Sequence, residues 1–398
     1  MKEQISNTLI NLSESQTLAM TRLSRELKAE GKDVISLSIG EPDFDTPDFI
    51  KAAAKKAIDE NYTHYTPVPG YPELINAIVT KFKRDNNLDY HPHQIVTSTG
   101  AKHTLANISI SLLNPDDEVL LPAPYWVSYH EIIKIAGAKP VGIPTTIDQD
   151  FKVSVAQIKS AITDKTRMIW FSTPCNPSGS VYSKEELYAI AQLLKDYPNL
   201  IIVSDEIYEH ISFTGKHESI AQFDFIKDQV ITVNGVSKGF AMTGWRIGYM
   251  GAPKWIADAC IKMQGQFTSG TCSIAQKAAQ AALEADPSCT LAMKKSFEER
   301  RELVLSLMKE IPGLKLNFPK GAFYVFPDVS NYFGKTDGET VIHNATDLTM
   351  FILNKGLVAL VTGEAFGDPN CIRLSYAASE AVLREAIKRI RETLALLK

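Results

Sequence analysis

Lys238 directly follows an apolar run that reads as a β-strand and opens the segment Ser237-Lys238-Gly239-Phe240-Ala241-Met242-Thr243-Gly244-Trp245-Arg246-Ile247-Gly248. At a strand end inside a cleft, an amine loses part of its hydration. Its pKa then falls, and the neutral amine is the form that condenses with an aldehyde. Ser237 and Arg246 bracket the lysine with a hydroxyl and a guanidinium, a pair suited to phosphate. A lone lysine after a strand is more often a solvated surface residue. The Ser-Lys…Gly-x-Arg-x-Gly context reverses that preference.

Asp205 ends a second apolar run, in Val203-Ser204-Asp205-Glu206-Ile207-Tyr208. A carboxylate there needs a partner, because an unpaired buried charge is costly. An arginine or a helix N-terminus would serve. So would the protonated ring nitrogen of a heteroaromatic ligand, with Tyr208 just beyond to hydrogen-bond a ring oxygen. Asn176, in Thr173-Pro174-Cys175-Asn176-Pro177-Ser178-Gly179, belongs to ordinary turn chemistry and can also present its amide toward that oxygen. In Ser98-Thr99-Gly100-Ala101-Lys102 a strand runs into a helix start, whose N–H groups and dipole suit a phosphate. Trp126, after Pro122-Ala123-Pro124-Tyr125, is either core or a stacking surface for a flat ring.

Two residues are aimed at a substrate. Arg373 lies in the otherwise apolar Cys371-Ile372-Arg373-Leu374-Ser375, where a guanidinium either joins a structural ion pair or awaits a carboxylate from outside. Gly40, in Ile39-Gly40-Glu41-Pro42, is a simple turn residue or a point of close backbone approach. Together these signals describe one ligand set: a flat, cationic, phosphorylated aldehyde and an amine that carries a carboxylate.

The elements that position these residues follow from the hydrophobic pattern. Between about 95 and 250 the strand-like runs QIVTSTG, DEVLLPAP, AKPVGIP, RMIWFSTP, LIIVSDEIY, QVITVNGVSK and RIGYMGAP alternate with helical spacing. Short β-branched runs separated by helices predict an α/β fold with a mostly parallel seven-stranded sheet between helices. Ligands of such sheets bind beyond the carboxyl ends of the strands, where nearly all the residues above fall. Helices are predicted over 13–30, 47–60, 71–87, 101–113, 125–136, 183–197 and 253–265. A continuous helical region, 273–310, leads to a C-terminal part with strands near 314–326, 356–361 and 371–375. The predicted division is a large domain, 46–285, and a smaller α+β domain made of 1–45 and 286–398, joined by a long connecting helix.

Composition narrows the function classes. The 398 residues are 44% hydrophobic and 22% charged, with a formal net charge of −4, so nothing favours nucleic acid or an acidic membrane as partner. Five scattered cysteines without a C-x-x-C pair predict neither a disulfide framework nor a zinc site. His91 and His93 flank Pro92 in a predicted surface turn, and no metal site is expected. The N-terminal stretch lacks a signal-peptide core, and no apolar run is long enough to cross a bilayer, which predicts a soluble, cytoplasmic protein. No G-x-G-x-x-G follows a strand, against a nicotinamide dehydrogenase. No basic helix-turn-helix segment is present, against a DNA-binding regulator.

Across essentially its whole length the chain resembles the class I aminotransferases of pyridoxal-phosphate (PLP) fold type I, in the branch that contains many bacterial aspartate aminotransferases. The resemblance is carried by IGEPDFDTP, HYTPVPGYPELINAI, TSTGAKHTL, PAPYWVSY, NPSGSVYS, SDEIYEH, SKGFAMTGWRIGY and RLSYA, in the family's order. It implies that Lys238 is the Schiff-base lysine and Asp205 the partner of the pyridine nitrogen. Tyr208 and Asn176 match the groups bonded to the ring oxygen, and Trp126 the stacking aromatic. Gly100, Ala101, Ser237 and Arg246 match the phosphate site. Tyr65 matches a tyrosine that reaches the phosphate of the neighbouring subunit, which implies a homodimer with shared active sites. Arg373, helped by Gly40, matches the grip on the substrate α-carboxylate. Lys102 stands where acidic substrates have their distal carboxylate bound. Family members that also take prephenate tend to carry a basic residue where this chain has Ser13, which argues against that substrate.

The expected reaction is transfer of the amino group between L-aspartate and 2-oxoglutarate by a ping-pong mechanism. An aromatic or broad-range aminotransferase is the alternative, followed by a PLP-dependent lyase.

Overall fold

The computed structural model describes residues 5–398; residues 1–4, the first of the expected smaller domain, lie outside the described residues. The seven predicted runs all form strands of one sheet. Their order is Ile95–Ser98, Gly248–Gly251, Val230–Gly235, Ile201–Asp205, Thr166–Ser172, Glu118–Pro122, Lys139–Ile143. All neighbouring pairs are parallel except those of Gly248–Gly251, which runs antiparallel to both its neighbours.

The central strands are buried on both faces, as their unbroken apolar character requires. Along Thr166–Ser172, Ile169 and Phe171 join one hydrophobic cluster, while Met168 and Trp170 join the cluster on the opposite face. Local signals set the covering helices. Ser183 and Glu186 form a reciprocal capping box at Lys184–Leu194, and Pro72 occupies the first turn of Pro72–Lys81.

A second apolar cluster gathers Phe297, Val304, Leu348, Ile352, Leu383 and Ile387 around the antiparallel strands Val361–Thr362, Ile372–Ser375 and Tyr324–Val325. Ile35–Ser36 pairs in parallel with Val358–Ala359, tying the N-terminal segment to this C-terminal part.

Two predicted helices are corrected. The long connecting helix over 273–310 is two helices, Ser273–Glu284 and Leu291–Met308, separated by the short 3₁₀ turn Pro287–Thr290. Asp286 caps that turn by accepting from the Ser288 N–H, and Pro287 has no N–H to continue the first helix. The helix over 71–87 is α-helical only to Lys81 and finishes as a π-helical turn, Phe82–Asn86. No helix among the described residues is long and apolar enough to cross a membrane.

Candidate active site

Beyond the carboxyl ends of the central strands lies a cavity of about 260 Å³. Of the residues singled out from sequence, Gly40, Ala101, Lys102, Trp126, Asn176, Asp205, Tyr208, Ser237, Lys238, Arg246 and Arg373 all line it. They come from segments as far apart as residues 40 and 373, and the sheet brings them together.

Lys238 sits just past the strand Val230–Gly235. Burial pulls its ammonium down to about 8, with Arg373 and Arg246 adding to the effect and Glu41 and Asp205 opposing it. Its Nζ donates to the Gly40 carbonyl at 2.5 Å. A Cβ on Gly40 would collide with the Tyr324 hydroxyl, so glycine is required for this approach.

Asp205, at the end of Ile201–Asp205, is 4% exposed. Its Oδ2 accepts from the Tyr129 hydroxyl at 2.6 Å and its Oδ1 from the Ile207 N–H at 3.2 Å. Burial nevertheless pushes its pKa up to about 6, because the two hydrogen bonds recover only part of the lost hydration. Tyr208 is buried, with its hydroxyl 2.7 Å from that of Tyr324. Burial pushes both phenols above their usual range.

Arg373 is the most telling group. It is 1% exposed, and no carboxylate among the described residues pairs with it. Nη1 donates to Asn176 Oδ1 at 2.9 Å and Nη2 to the Ser38 carbonyl at 2.5 Å, while the Nε–H has no acceptor. The guanidinium carbon lies 4.6 Å from the Tyr324 ring centre and 4.9 Å from that of Phe366. A buried cation held only by amide oxygens and ring faces is incompletely compensated, and burial lowers its pKa accordingly.

At the other end, Gly100 (φ +85°) caps the helix Ala101–Leu112. The first-turn N–H groups there have no intrahelical acceptor. Arg246 donates to the Thr243 carbonyl at 2.8 Å, and its guanidinium fills the space that a Cβ on Gly100 would need. Lys102 Nζ stands 4.8 Å from the Trp126 ring centre. Although Lys102 keeps contact with solvent, loss of water and then the charge of Arg246 pull its ammonium below the ordinary range.

Tyr65 does not reach this cavity and is 99% exposed. Sequence reasoning missed Tyr129, Tyr324 and the N-terminal residues Ser15, Thr17 and Leu18, which also line the cavity. Tyr129 follows Trp126 by three residues at the start of Val127–Ile135, a helical spacing that was available as a signal. Tyr324 had none, since a two-residue strand places it.

Comparison with known proteins identifies the family. Residues 32–390 match the family model "Aminotransferase class I and II". The chain belongs to that family. The aminotransferase is 46% identical over 96% of its length to a bifunctional aspartate aminotransferase and glutamate/aspartate-prephenate aminotransferase of Petunia hybrida, covering 81% of that protein. It is 44% identical to an aspartate/prephenate aminotransferase of Nitrosomonas europaea, covering 98% of this chain and all of that one. The crystal structure of an aspartate aminotransferase from Rhizobium meliloti superposes with a TM-score of 0.96 at 39% identity, covering 99% of each chain. The aminotransferase therefore has PLP fold type I.

Proposed function

We propose that this aminotransferase moves the amino group between L-aspartate and 2-oxoglutarate, giving oxaloacetate and L-glutamate, with PLP as cofactor. The observation that carries the reading is Arg373: a buried guanidinium without an internal carboxylate, in the same cavity as an amine whose pKa burial draws down to about 8. Such a cation is completed by the α-carboxylate of an amino acid.

The donor set fits the cofactor. The Gly100–Ala101 helix start, Ser237 and Arg246 would hold its phosphate; Trp126 would stack on its ring; Tyr208 and Asn176 would donate to its ring oxygen; Asp205 would pair with its ring nitrogen. Bound there, PLP supplies an electrophilic aldehyde and a ring that accepts electrons.

The chain's own residues do the rest. The Lys238 amine, made easier to deprotonate by burial, would hold the cofactor and then take and return the proton at the substrate Cα. Arg373 fixes the carboxylate and so the direction of the Cα–H bond. Asp205, with Tyr129 donating to it, would pair as a carboxylate with the ring nitrogen and favour its protonated state. Lys102, exposed at the mouth and unpaired among the described residues, takes the distal carboxylate of aspartate or glutamate.

The fully exposed Tyr65 supports a homodimer in which it completes the partner's phosphate site. A cytoplasmic setting and the division into 46–285 against 1–45 plus 286–398 belong to the same reading.

The test is to mix PLP-loaded protein separately with L-aspartate, L-glutamate, L-phenylalanine and L-alanine without a keto acid, and follow the cofactor absorbance. Fast conversion to the aminated cofactor with aspartate and glutamate alone is expected. Equal conversion with phenylalanine would move the assignment to an aromatic or broad-range enzyme. No conversion despite bound PLP would favour a lyase.

A further inference from the structure

Next to its site the aminotransferase buries four ionisable side chains, with a fifth, His210, partly buried, that the chemistry above leaves unused, and none of them lines the cavity. Lys81, 0% exposed, ion-pairs with Glu209 and donates to Asn86 Oδ1 at 2.7 Å. Asn86 Nδ2 in turn donates to Glu209 Oε2 at 2.8 Å. His217 Nε2 lies 2.9 Å from Glu206 Oε2, and Glu206 Oε1 accepts from Ser204 Oγ at 2.9 Å and Ser219 Oγ at 2.7 Å. His210 Nε2 stands 3.2 Å from Glu209 Oε1.

Charge balance decides the protonation state. Carboxylate oxygens of Glu206 and Glu209 and a ring nitrogen of His217 all lie within 4.8 Å of one another. Two buried carboxylates so close need two cations. Lys81 supplies one, and His217, bonded to Glu206 through Nε2 with its Nδ1 unpartnered, is placed to supply the other. Burial alone would deprotonate His217, but the charge and hydrogen bond of Glu206 outweigh it and raise its pKa above the ordinary value. Burial likewise opposes ionisation of Glu209, and Lys81 and then His210 overcome it, holding its pKa well below the usual range. With Lys81 seated on Glu209, the cluster is an ion network and not a vacant metal site.

Its placement ties it to the site. Asp205 and Tyr208 line the cavity, while Glu206 and Glu209, their neighbours in the same turn, belong to the network. The Glu206 N–H donates to the Val233 carbonyl of the strand that leads to Lys238. The His210 ring packs so closely on Gly239, the residue after Lys238, that a Cβ there would come within 2.6 Å of it. Lys81 ends one helix and Asn86 ends the π-helical turn that follows, an irregularity of a kind that re-aims side chains. The charge of Glu206 is also felt at Asp205, where it favours the protonated form.

We propose that the Glu206–His217 and Lys81–Glu209 pairs are a positioning device: they hold the 205–210 turn against the Lys238 loop, and the balance of Glu206 against His217 sets the electrostatic field at Asp205. The inference rests on the reading of Asp205 as partner of the cofactor's ring nitrogen. Besides the five members, Tyr90 and Tyr249, both kept neutral by burial, feel the charge of Glu206, and the neighbouring Arg84–Asp85 pair acts on Tyr249.

The test uses holoenzyme variants and follows the cofactor absorbance as a function of pH. His217→Gln leaves Glu206 without its counter-charge, so more negative potential reaches the site and the absorbance transition moves to higher pH. Glu206→Gln removes that potential and moves it to lower pH, each by about half a unit or more. Shifts in the same direction, or none, would overturn the inference.

Stability separates position from mere folding. Lys81→Met strands a buried carboxylate and lowers the melting temperature of the cofactor-free protein; the double variant Lys81→Met/Glu209→Gln removes both charges and recovers it. The double variant should still show kcat/KM for aspartate about tenfold below the parent, because a slightly misplaced turn costs rate without costing stability. Full recovery of both would make the network purely structural and overturn the inference. A parent protein that fails to bind PLP would count against the functional reading itself, not against this one.

Discussion

Arg373 and Lys81 are equally buried cations, at 1% and 0% exposure, yet their surroundings differ in kind. Lys81 meets the carboxylate of Glu209 and the amide oxygen of Asn86, and the charge is closed within the chain. Arg373 meets an amide oxygen, a backbone carbonyl and two aromatic faces, and one N–H points at no acceptor. The contrast teaches that burial of a charge does not by itself mark a binding site. A buried charge whose compensation is missing does, because folding would not leave that cost uncovered without a ligand to offset it.

The strongest break in the comparison is at Lys238. Lys238→Ala should abolish turnover in a coupled assay while PLP still binds non-covalently by its absorbance; turnover at the parent rate would remove Lys238 from its role. Next, Arg373→Met should lower kcat/KM for aspartate by roughly a hundredfold or more. The cofactor-free protein should melt no lower than the parent, since an uncompensated buried charge has gone. Lys81→Met should do the reverse in the melt. If the two substitutions cost equal stability, the distinction between the two cations fails.

Asp205 sharpens the comparison through pH. Its folded pKa of about 6 lies above the unfolded value of 3.8, so the folded state binds more protons between them. Stability of the cofactor-free protein is therefore lost from this group as pH rises through that window. Asp205→Asn should melt higher than the parent above pH 6, by about 5 °C, and the difference should vanish below pH 3.8. A constant difference across the range would contradict the assigned shift. The smallest effect is at the exposed Lys102: Lys102→Ser should reduce the preference for aspartate over phenylalanine by about tenfold, measured as a ratio of kcat/KM values.

Residues at strand ends were legible in the chain. Lys238, Asp205 and Arg373 are polar groups in or beside runs that are otherwise apolar, and such a conflict is visible in the residue order itself. Tyr129 carried a weaker trace, its helical spacing from Trp126. Ser15, Thr17 and Leu18 carried none, since the first turn of a helix gives no sign of the cavity it will cover. The break at Asp286-Pro287 was written in the sequence, but the apolar spacing on either side continued across it. The buried network was illegible for a related reason. Glu206, Glu209, Lys81 and His217 look like surface residues one at a time, and only their contacts explain their burial.

The sequence alone therefore determined the alternation of strands and helices, the seven strands and the chemistry offered at their ends, because these depend on local periodicity and on residue type. The tertiary structure decided which charges are completed and which are left open. That property belongs to pairs of residues far apart in the chain, such as Lys81 with Glu209 or Arg373 with Asn176, and no local pattern encodes it. Whether a buried charge is scaffold or site is settled by what the fold brings to meet it.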